Sequence, residues 1–419
     1  MNWNARALTV LLCTTIVAVA QDAARQSEPW TKWDLATGDW NRNRPLIEGQ
    51  GVAFFSTYTS QVWGNVAGGL QRGATYSGVL QFGADLDFEK IFGWQGASFN
   101  TSWVWNAGGS QTTNLTGALF PSSNIEGPDG FRALDLWLQQ KLFDDVFTIR
   151  AGLFNADRDF TISEGCQLFL NSAFGWPLLY NGNLGGPPAY PFAAPGLYAA
   201  VEPGGGWKFQ AAIMQGIVWP PAENPTNFYW RLTRENGLLY LGEAEYGWTD
   251  VPLPGTAKLG VMFNSGYEDY VDQANQDDGA WGGSFVYGII DQMLWPEPAA
   301  AENSPQGLAW FNRTGFTGTP DRSPLGMFFN SGFTWTGPWP GRDEDAAGVG
   351  LVWSRLTPGQ AAQLEGNNRG NEFVVEFTYQ AQITPWFELQ PDLQMVVQPG
   401  GSTAIPGALV LGLSATIDF

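Results

Sequence analysis

The sequence predicts an all-β chain: a transmembrane antiparallel β-barrel of sixteen strands with a long third loop that folds inward. Three observations carry that expectation. Segments of ten or more residues alternate apolar and polar side chains; long and short connections alternate between them; and nothing beyond residue 20 is apolar for long enough to make a spanning helix. A chain that is 15% aromatic, with 53 Gly and only 14% charged residues, is aromatic-rich and charge-poor for a soluble protein. A barrel reconciles these facts, because its apolar residues are dispersed singly along strands.

The chain opens with Arg6, an apolar run from Leu8 to Ala20, and Ala18-Val19-Ala20 before Gln21. This reads as a secretory signal peptide over 1–20, too short for a membrane helix. Bulky Leu12 argues against a lipoprotein role for Cys13. Cys166 is then the one cysteine left, so an internal disulfide is excluded. The complete absence of His excludes His-based catalysis and His metal sites, and a net charge of −20 argues against a nucleic-acid partner. Residues 21–50, with Trp30, Trp33, Trp40 and a turn or two of helix over 42–48, form a periplasmic or lumen-entering lead. The barrel occupies 51–419.

The alternation is explicit in several strands. Over 79–89, Leu80, Phe82, Ala84, Leu86 and Phe88 oppose Gln81, Asp85, Asp87 and Glu89. Over 97–106, Phe99, Trp103 and Trp105 oppose Ser98, Asn100, Ser102 and Asn106. Over 372–383, Phe373, Val375, Phe377 and Tyr379 oppose Glu372, Glu376, Thr378 and Gln380. Over 386–398, Phe387, Leu389, Leu393, Met395 and Val397 oppose Glu388, Gln390, Asp392, Gln394 and Gln398. The closing segment 408–419 sets Leu409, Leu411, Leu413, Ala415, Ile417 and Phe419 against Gly412, Ser414, Thr416 and Asp418. That segment alone suits a sandwich or a barrel. The length of its counterparts and their Gln/Asn/Asp/Glu-rich faces select the barrel, since sandwich strands commonly run about five or six residues.

Sixteen strands are expected near 51–61, 76–89, 96–106, 132–141, 145–154, 196–202, 206–217, 239–249, 256–267, 281–294, 306–315, 325–336, 346–355, 371–383, 386–398 and 408–419. Even-to-odd connections such as 90–95, 142–144, 203–205 and 384–385 are short, whereas 107–131, 155–195, 218–238 and 356–370 are long. That parity matches short periplasmic turns and long outer loops, with both termini in the periplasm. The longest loop, 155–195, carries Phe169, Phe174, Trp176, Tyr180 and Phe192, which favour an ordered loop over a disordered one.

Several motifs in order resemble the carbohydrate-selective porin family (OprB type) of the Gram-negative outer membrane. They are Gly38-Asp39-Trp40; Tyr76-Ser77-Gly78 with Asp85 to Gly96; Leu134 to Leu142 followed by Arg150-Ala151-Gly152; Phe169 to Ser172; and Glu372 to Gly401, with Thr384-Pro385-Trp386 and Gln390 to Gln394. Asn41 to Arg44 departs from the family's Gly-rich stretch, and 203–370 matches poorly. The resemblance implies passive diffusion of small, glucose-type sugars through a narrow polar pore, with outer-membrane lipid and the barrel assembly machinery as partners. It implies no cofactor. It leaves open whether the barrel is a monomer or a trimer.

Sugar passage needs weak, repeated hydrogen bonds, favourable enough to admit a solute and weak enough to release it. The residues placed to supply them are Asp85, Asp87, Asp135, Arg150, Arg158, Glu164, Glu372, Glu376, Glu388, Gln390, Asp392 and Gln394; the plainer reading of each is a solvated wall charge. Arg150, Arg158 and Glu164 together suggest a constriction. Trp176 and Tyr180 suit a sugar path, while most other Trp suit the interfacial girdles. No metal ligands are expected. A glycosidase is disfavoured: Glu388 and Asp392 lie roughly 13 Å apart at about 3.3 Å per residue, beyond either glycosidase geometry. A general or ion-selective porin without a sugar site is the main alternative, and a secreted lectin or glycoside hydrolase the more distant one. The apolar Phe419 resembles the sorting signal of outer-membrane barrels. Its deletion is expected to lower membrane assembly, measured in detergent-extracted outer membranes, while secretion continues; normal assembly would remove that reading.

Overall fold

The structure, a computed structural model, describes residues 29–108, 112–176, 182–249, 251–271, 278–297, 306–364 and 370–419. The expected signal peptide and Tyr180 lie outside the described residues. Sixteen antiparallel strands close into one barrel: β1 (Val52–Ala67), β2 (Gly73–Asp87), β3 (Ala97–Ala107), β4 (Gly130–Leu142), β5 (Phe147–Phe154), β6 (Ala194–Gly204), β7 (Trp207–Gln215), β8 (Leu238–Trp248), β9 (Gly255–Asp269), β10 (Gly279–Pro296), β11 (Gly307–Thr317), β12 (Leu325–Thr336), β13 (Ala346–Leu356), β14 (Asn371–Thr384), β15 (Phe387–Val397) and β16 (Ala408–Asp418). Each strand pairs with its sequence neighbours, and β1 pairs with β16 from Thr57↔Asp418 to Ala67↔Leu409. Full closure leaves no unpaired edge, as a strand wall in lipid requires.

The strand number and order agree with expectation. β1 runs past the predicted 51–61, because pairing with β16 carries it through Gly64 to Ala67, where the apolar alternation weakens. Outward side chains such as Val62, Leu411 and Leu413 are exposed, while inward Gln61, Val410 and Ser414 are buried. The longest connections, L2 (108–129), L3 (155–193) and L4 (216–237), lie at one end of the barrel with the shorter L6 (318–324) and L8 (398–407), while 297–306 and 337–345 at the other end run nine or ten residues.

The lead closes the opposite end of the β1–β16 seam. A short helix, α1 (Asn43–Gly49), presents Arg44, whose Nη2 donates to Phe54 O (2.7 Å) and Nη1 to Phe419 O (3.1 Å). Ala36 N donates to Asp418 O (2.8 Å), and the Trp30 and Trp386 rings lie 4.1 Å apart.

The lumen departs from the uniformly polar interior read from the sequence. Inward Phe311, Phe328, Val352 and Val374 meet Phe120 from L2 and Phe169 and Phe174 from L3 in one buried apolar cluster. Alternation places these wall residues inward, but only the loops give them an apolar partner. Two glycines of β13 make the floor: a Cβ at Gly348 would lie 2.8 Å from the Phe169 ring, and one at Gly350 would lie 2.6 Å from the Phe174 ring.

Irregular backbone inside a barrel needs hydrogen-bond partners, and the wall supplies them. Arg313 of β11, 1% exposed, donates Nη1 to Thr161 O (3.0 Å) and Gly175 O (2.9 Å), and Nη2 to Ala173 O (2.7 Å). The Glu376 carboxylate accepts from Leu170 N (2.6 Å) and Asn171 N (3.0 Å). L2 and L3 also bond to each other, Asn124 N to Leu170 O (2.7 Å) and Ser172 N to Pro121 O (3.0 Å).

Replacing Arg313 with Leu leaves Thr161 O and Gly175 O without a donor, each at a cost of about 1–3 kcal/mol, while Ala173 O keeps Asn330 Nδ2 (3.0 Å). L3 should detach locally while the barrel stays closed. Buried Cys166 reports this: maleimide labelling in membranes should become fast in the variant and stay slow in the parent.

Candidate functional site

A charge-balanced cluster stands where β4, β5 and β6 face L3. Its geometry begins at a β-bulge: pairing of β3 with β4 steps from Ser102↔Asp135 to Trp103↔Ala133, leaving Leu134 unpaired. The bulge turns Asp135 inward in line with Trp137 and Gln139, a use of bulges common beside functional sites. Asp135, 2% exposed, accepts three bonds: from Ser102 Oγ (2.7 Å), Arg158 Nη1 (3.0 Å) and Trp137 Nε1 (3.1 Å).

Two arginines share Trp137 and differ in their freedom. The Arg150 guanidinium lies 4.7 Å from the Trp137 ring and 4.6 Å from that of Tyr198. It donates Nη1 to Asp159 Oδ2 (2.6 Å), and both Nε and Nη2 to Gln139 Oε1 (3.2 and 3.0 Å). Arg150 is buried, with each of its three nitrogens bonded. Arg158 lies 5.0 Å from the same Trp137 ring, and its side chain keeps 34% exposure with one ion pair to Asp135. Each arginine is matched by one aspartate, so these four charges cancel.

The other predicted residues separate by burial. Glu372 and Glu376, both 0% exposed, are anchors: Glu372 Oε2 accepts from Leu119 N (2.8 Å) of L2 and Gly400 N (2.7 Å) of L8. Gln394 donates to Ser122 O (2.9 Å) and accepts from Asn171 Nδ2 (2.9 Å), bridging L2 and L3. Gln390 donates to Leu168 O (2.7 Å), and Asp392 accepts from Gln394 (3.0 Å). Asp85 is exposed and accepts from Asn100 Nδ2 (2.6 Å), while Asp87 caps the helix α2 (Phe88–Phe92) through Glu89 N and Lys90 N. Glu388 is half-buried and accepts from Gln380 Nε2 (2.8 Å). Glu164 is exposed on L3. Trp176 packs against the lumen cluster.

Sequence reasoning passed over Trp137, Asp159, Glu243 and Arg313. Glu243 is buried and accepts from Thr161 N (3.2 Å), Gln210 Nε2 (2.8 Å) and the Tyr287 hydroxyl (2.6 Å). The spacing of Trp137, two residues from Asp135 and from Gln139, carried the signal for its inward face. A lone inward arginine on the apolar-aromatic β11 was the signal for Arg313.

Several loop groups have shifted acidity. Burial pushes Asp157 of L3 from its ordinary 3.8 to about 7, against two bonds from Tyr190 N that favour its charged form. Burial likewise pushes Glu126 of L2 from 4.5 to about 7, opposed by its bonds from Thr112 N, and the Cys166 thiol to about 11.

A closed sixteen-stranded barrel with an inward-held third loop and a polar cluster beside it defines an outer-membrane porin. The sequence model of the carbohydrate-selective porin, OprB family matches residues 71–419, and the chain belongs to that family. Its function is that of an outer-membrane sugar porin. Porin B of Pseudomonas aeruginosa is 25% identical to it, over 96% of this chain and 94% of that one. The putative porin QuiX of Acinetobacter baylyi is 24% identical over 96% of each. The high-pH structure of Pseudomonas putida OprB superposes with a TM-score of 0.84 at 21% identity, covering 94% of this chain and 100% of that chain.

The acidities fix a pH dependence. A carboxyl whose folded pKa is raised contributes stability that is complete below its unfolded pKa and is lost as pH rises through the folded one. For Asp157 that window runs from 3.8 to about 7, and for Glu126 from 4.5 to about 7. Labelling of Cys166, normalised to a free thiol, should accelerate as pH rises across this window. Asp157→Asn should flatten the profile.

Proposed function

We propose that the channel passes neutral, glucose-type monosaccharides by passive diffusion, and that Arg158 is the donor they meet at the constriction. The carrying observation is the contrast between the two arginines: Arg150 is buried with each of its three nitrogens bonded, whereas Arg158 is held on one side by Asp135 and keeps a third of its side chain exposed. A guanidinium fixed on one edge offers its remaining N–H groups to sugar hydroxyls without rotamer search. Pairing with Asp135 neutralises the cluster, which suits an uncharged solute. Trp137, already covered by both guanidinium groups, is a support and not a stacking face for sugar.

In this reading the remaining candidates divide. Asp85, Asp87 and Glu388 line an acidic vestibule at the turn end, Glu164 stands beside the constriction, and Glu372, Glu376, Gln390, Asp392 and Gln394 hold loops. The lead over 29–50 is a periplasmic clasp, and Phe419 is the residue read by the assembly machinery.

Planar-bilayer recordings with added glucose test the assignment. Glucose should reduce the parent current, and Arg158→Ala should weaken that block roughly fivefold, the loss of about one charge-assisted hydrogen bond. Asp135→Asn leaves Arg158 unpaired and should shift ion preference toward anions. A parent current insensitive to glucose, with liposome swelling that follows solute size alone, would support the general-porin reading instead.

A further inference from the structure

We propose that the outward groove between L4 and strands β9 and β10 binds a phosphorylated glycolipid of the outer leaflet. The groove, of about 450 Å³, is lined by Leu232, Thr233 and Arg234 of L4, Leu238 of β8, Ser265 of β9 and Trp281 of β10. It opens away from the lumen: Trp281 pairs with Tyr267 on the lipid-facing side of β9 and is 44% exposed. It lies at the long-loop end of the barrel, level with the outer leaflet.

Its chemistry is that of an anionic amphiphile. The Arg234 guanidinium lies 4.4 Å from the Trp281 ring centroid and has no ion-pair partner among the described residues. An unpaired guanidinium stacked on an aromatic ring is preorganised for phosphate, which it binds through parallel N–H donors. Arg322 of L6 donates to Trp281 O (3.3 Å) and pairs with Asp321 (3.3 Å), adding a second guanidinium at the same residue. Below the groove the wall turns apolar: the Tyr240 and Phe263 rings lie 6.2 Å apart, with Val261 and Leu259 exposed beneath them. Head-group charge above and acyl surface below match one molecule spanning both. A phosphorylated glycolipid is the outer-leaflet lipid with both parts. The exposed Glu235 and Asp321 flank the groove and oppose negative charge, so Arg234 carries the head-group contact.

Native mass spectrometry of the full-length mature protein in detergent tests this, with diphosphoryl lipid A, its dephosphorylated form and inorganic phosphate as probes. The expected result is a 1:1 adduct with diphosphoryl lipid A. It should weaken about tenfold in Arg234→Ala and in Trp281→Ala, and be unchanged in Arg231→Ala on the same loop. Heat-modifiable mobility and unaltered conductance confirm that each variant is folded. Equal adducts with Arg234→Ala would overturn the proposal. So would equal binding of the dephosphorylated lipid, which would leave acyl contact alone, or displacement of lipid A by inorganic phosphate at comparable concentration, which would make this a free-anion site.

Discussion

Irregular backbone placed inside a membrane barrel has to be hydrogen-bonded by the wall, and the arrangement of this channel follows from that requirement. L2 and L3 enter the lumen with loop N–H and C=O groups that no strand pairs. Glu372, Glu376, Gln390 and Gln394 on the adjacent β14 and β15, and Arg313 further round the same wall on β11, take them up. The aromatic residues of the loops then settle on Gly348, Gly350, Phe311 and Phe328. With that side of the lumen filled, the polar cluster of Asp135, Trp137, Arg150 and Arg158 stands on the β4–β6 side of the same loop.

The charge arrangement has two parts. Over the whole chain, a net charge of −20 favours solubility of the exposed rims and discourages anions. At the cluster, every guanidinium has its carboxylate, while hydrogen-bond donors on Arg158 remain. The proposed preference for an uncharged polyol rests on that combination: donors fixed in place, with each guanidinium paired to a carboxylate. The short β5 adds a structural demand on the same wall. Pairing with β4 ends at Leu136↔Leu153, and L4 covers the gap, Ala133 N donating to Thr226 O (3.2 Å) and Asn227 Nδ2 to Ala133 O (2.9 Å).

The strands were legible because alternation is a local property. Leu409 to Ile417 states which face of β16 meets lipid without reference to any other residue. Loop parity and the inward third loop were legible from connection lengths and from aromatic residues in 155–195. Even 203–370, where family motifs fade, folds as β7 to β13 on the same period. The roles of the inward residues were not legible. Alternation shows that Glu372 and Glu376 point inward, but only the fold shows L2, L3 and L8 pressed against them. Arg150 and Arg158 look equivalent in sequence; their difference arises from Gln139 and Asp159, which three separate segments bring together.

The size limit of the pore tests most directly that wall carboxylates hold L2 and L3 in place. Liposome swelling rates for a series from monosaccharide to larger oligosaccharides should be compared between the parent and Glu376→Ala. Loss of the acceptor for Leu170 N and Asn171 N should raise the exclusion limit and reduce discrimination among small sugars. An unchanged limit in a correctly assembled Glu376→Ala barrel would contradict the account.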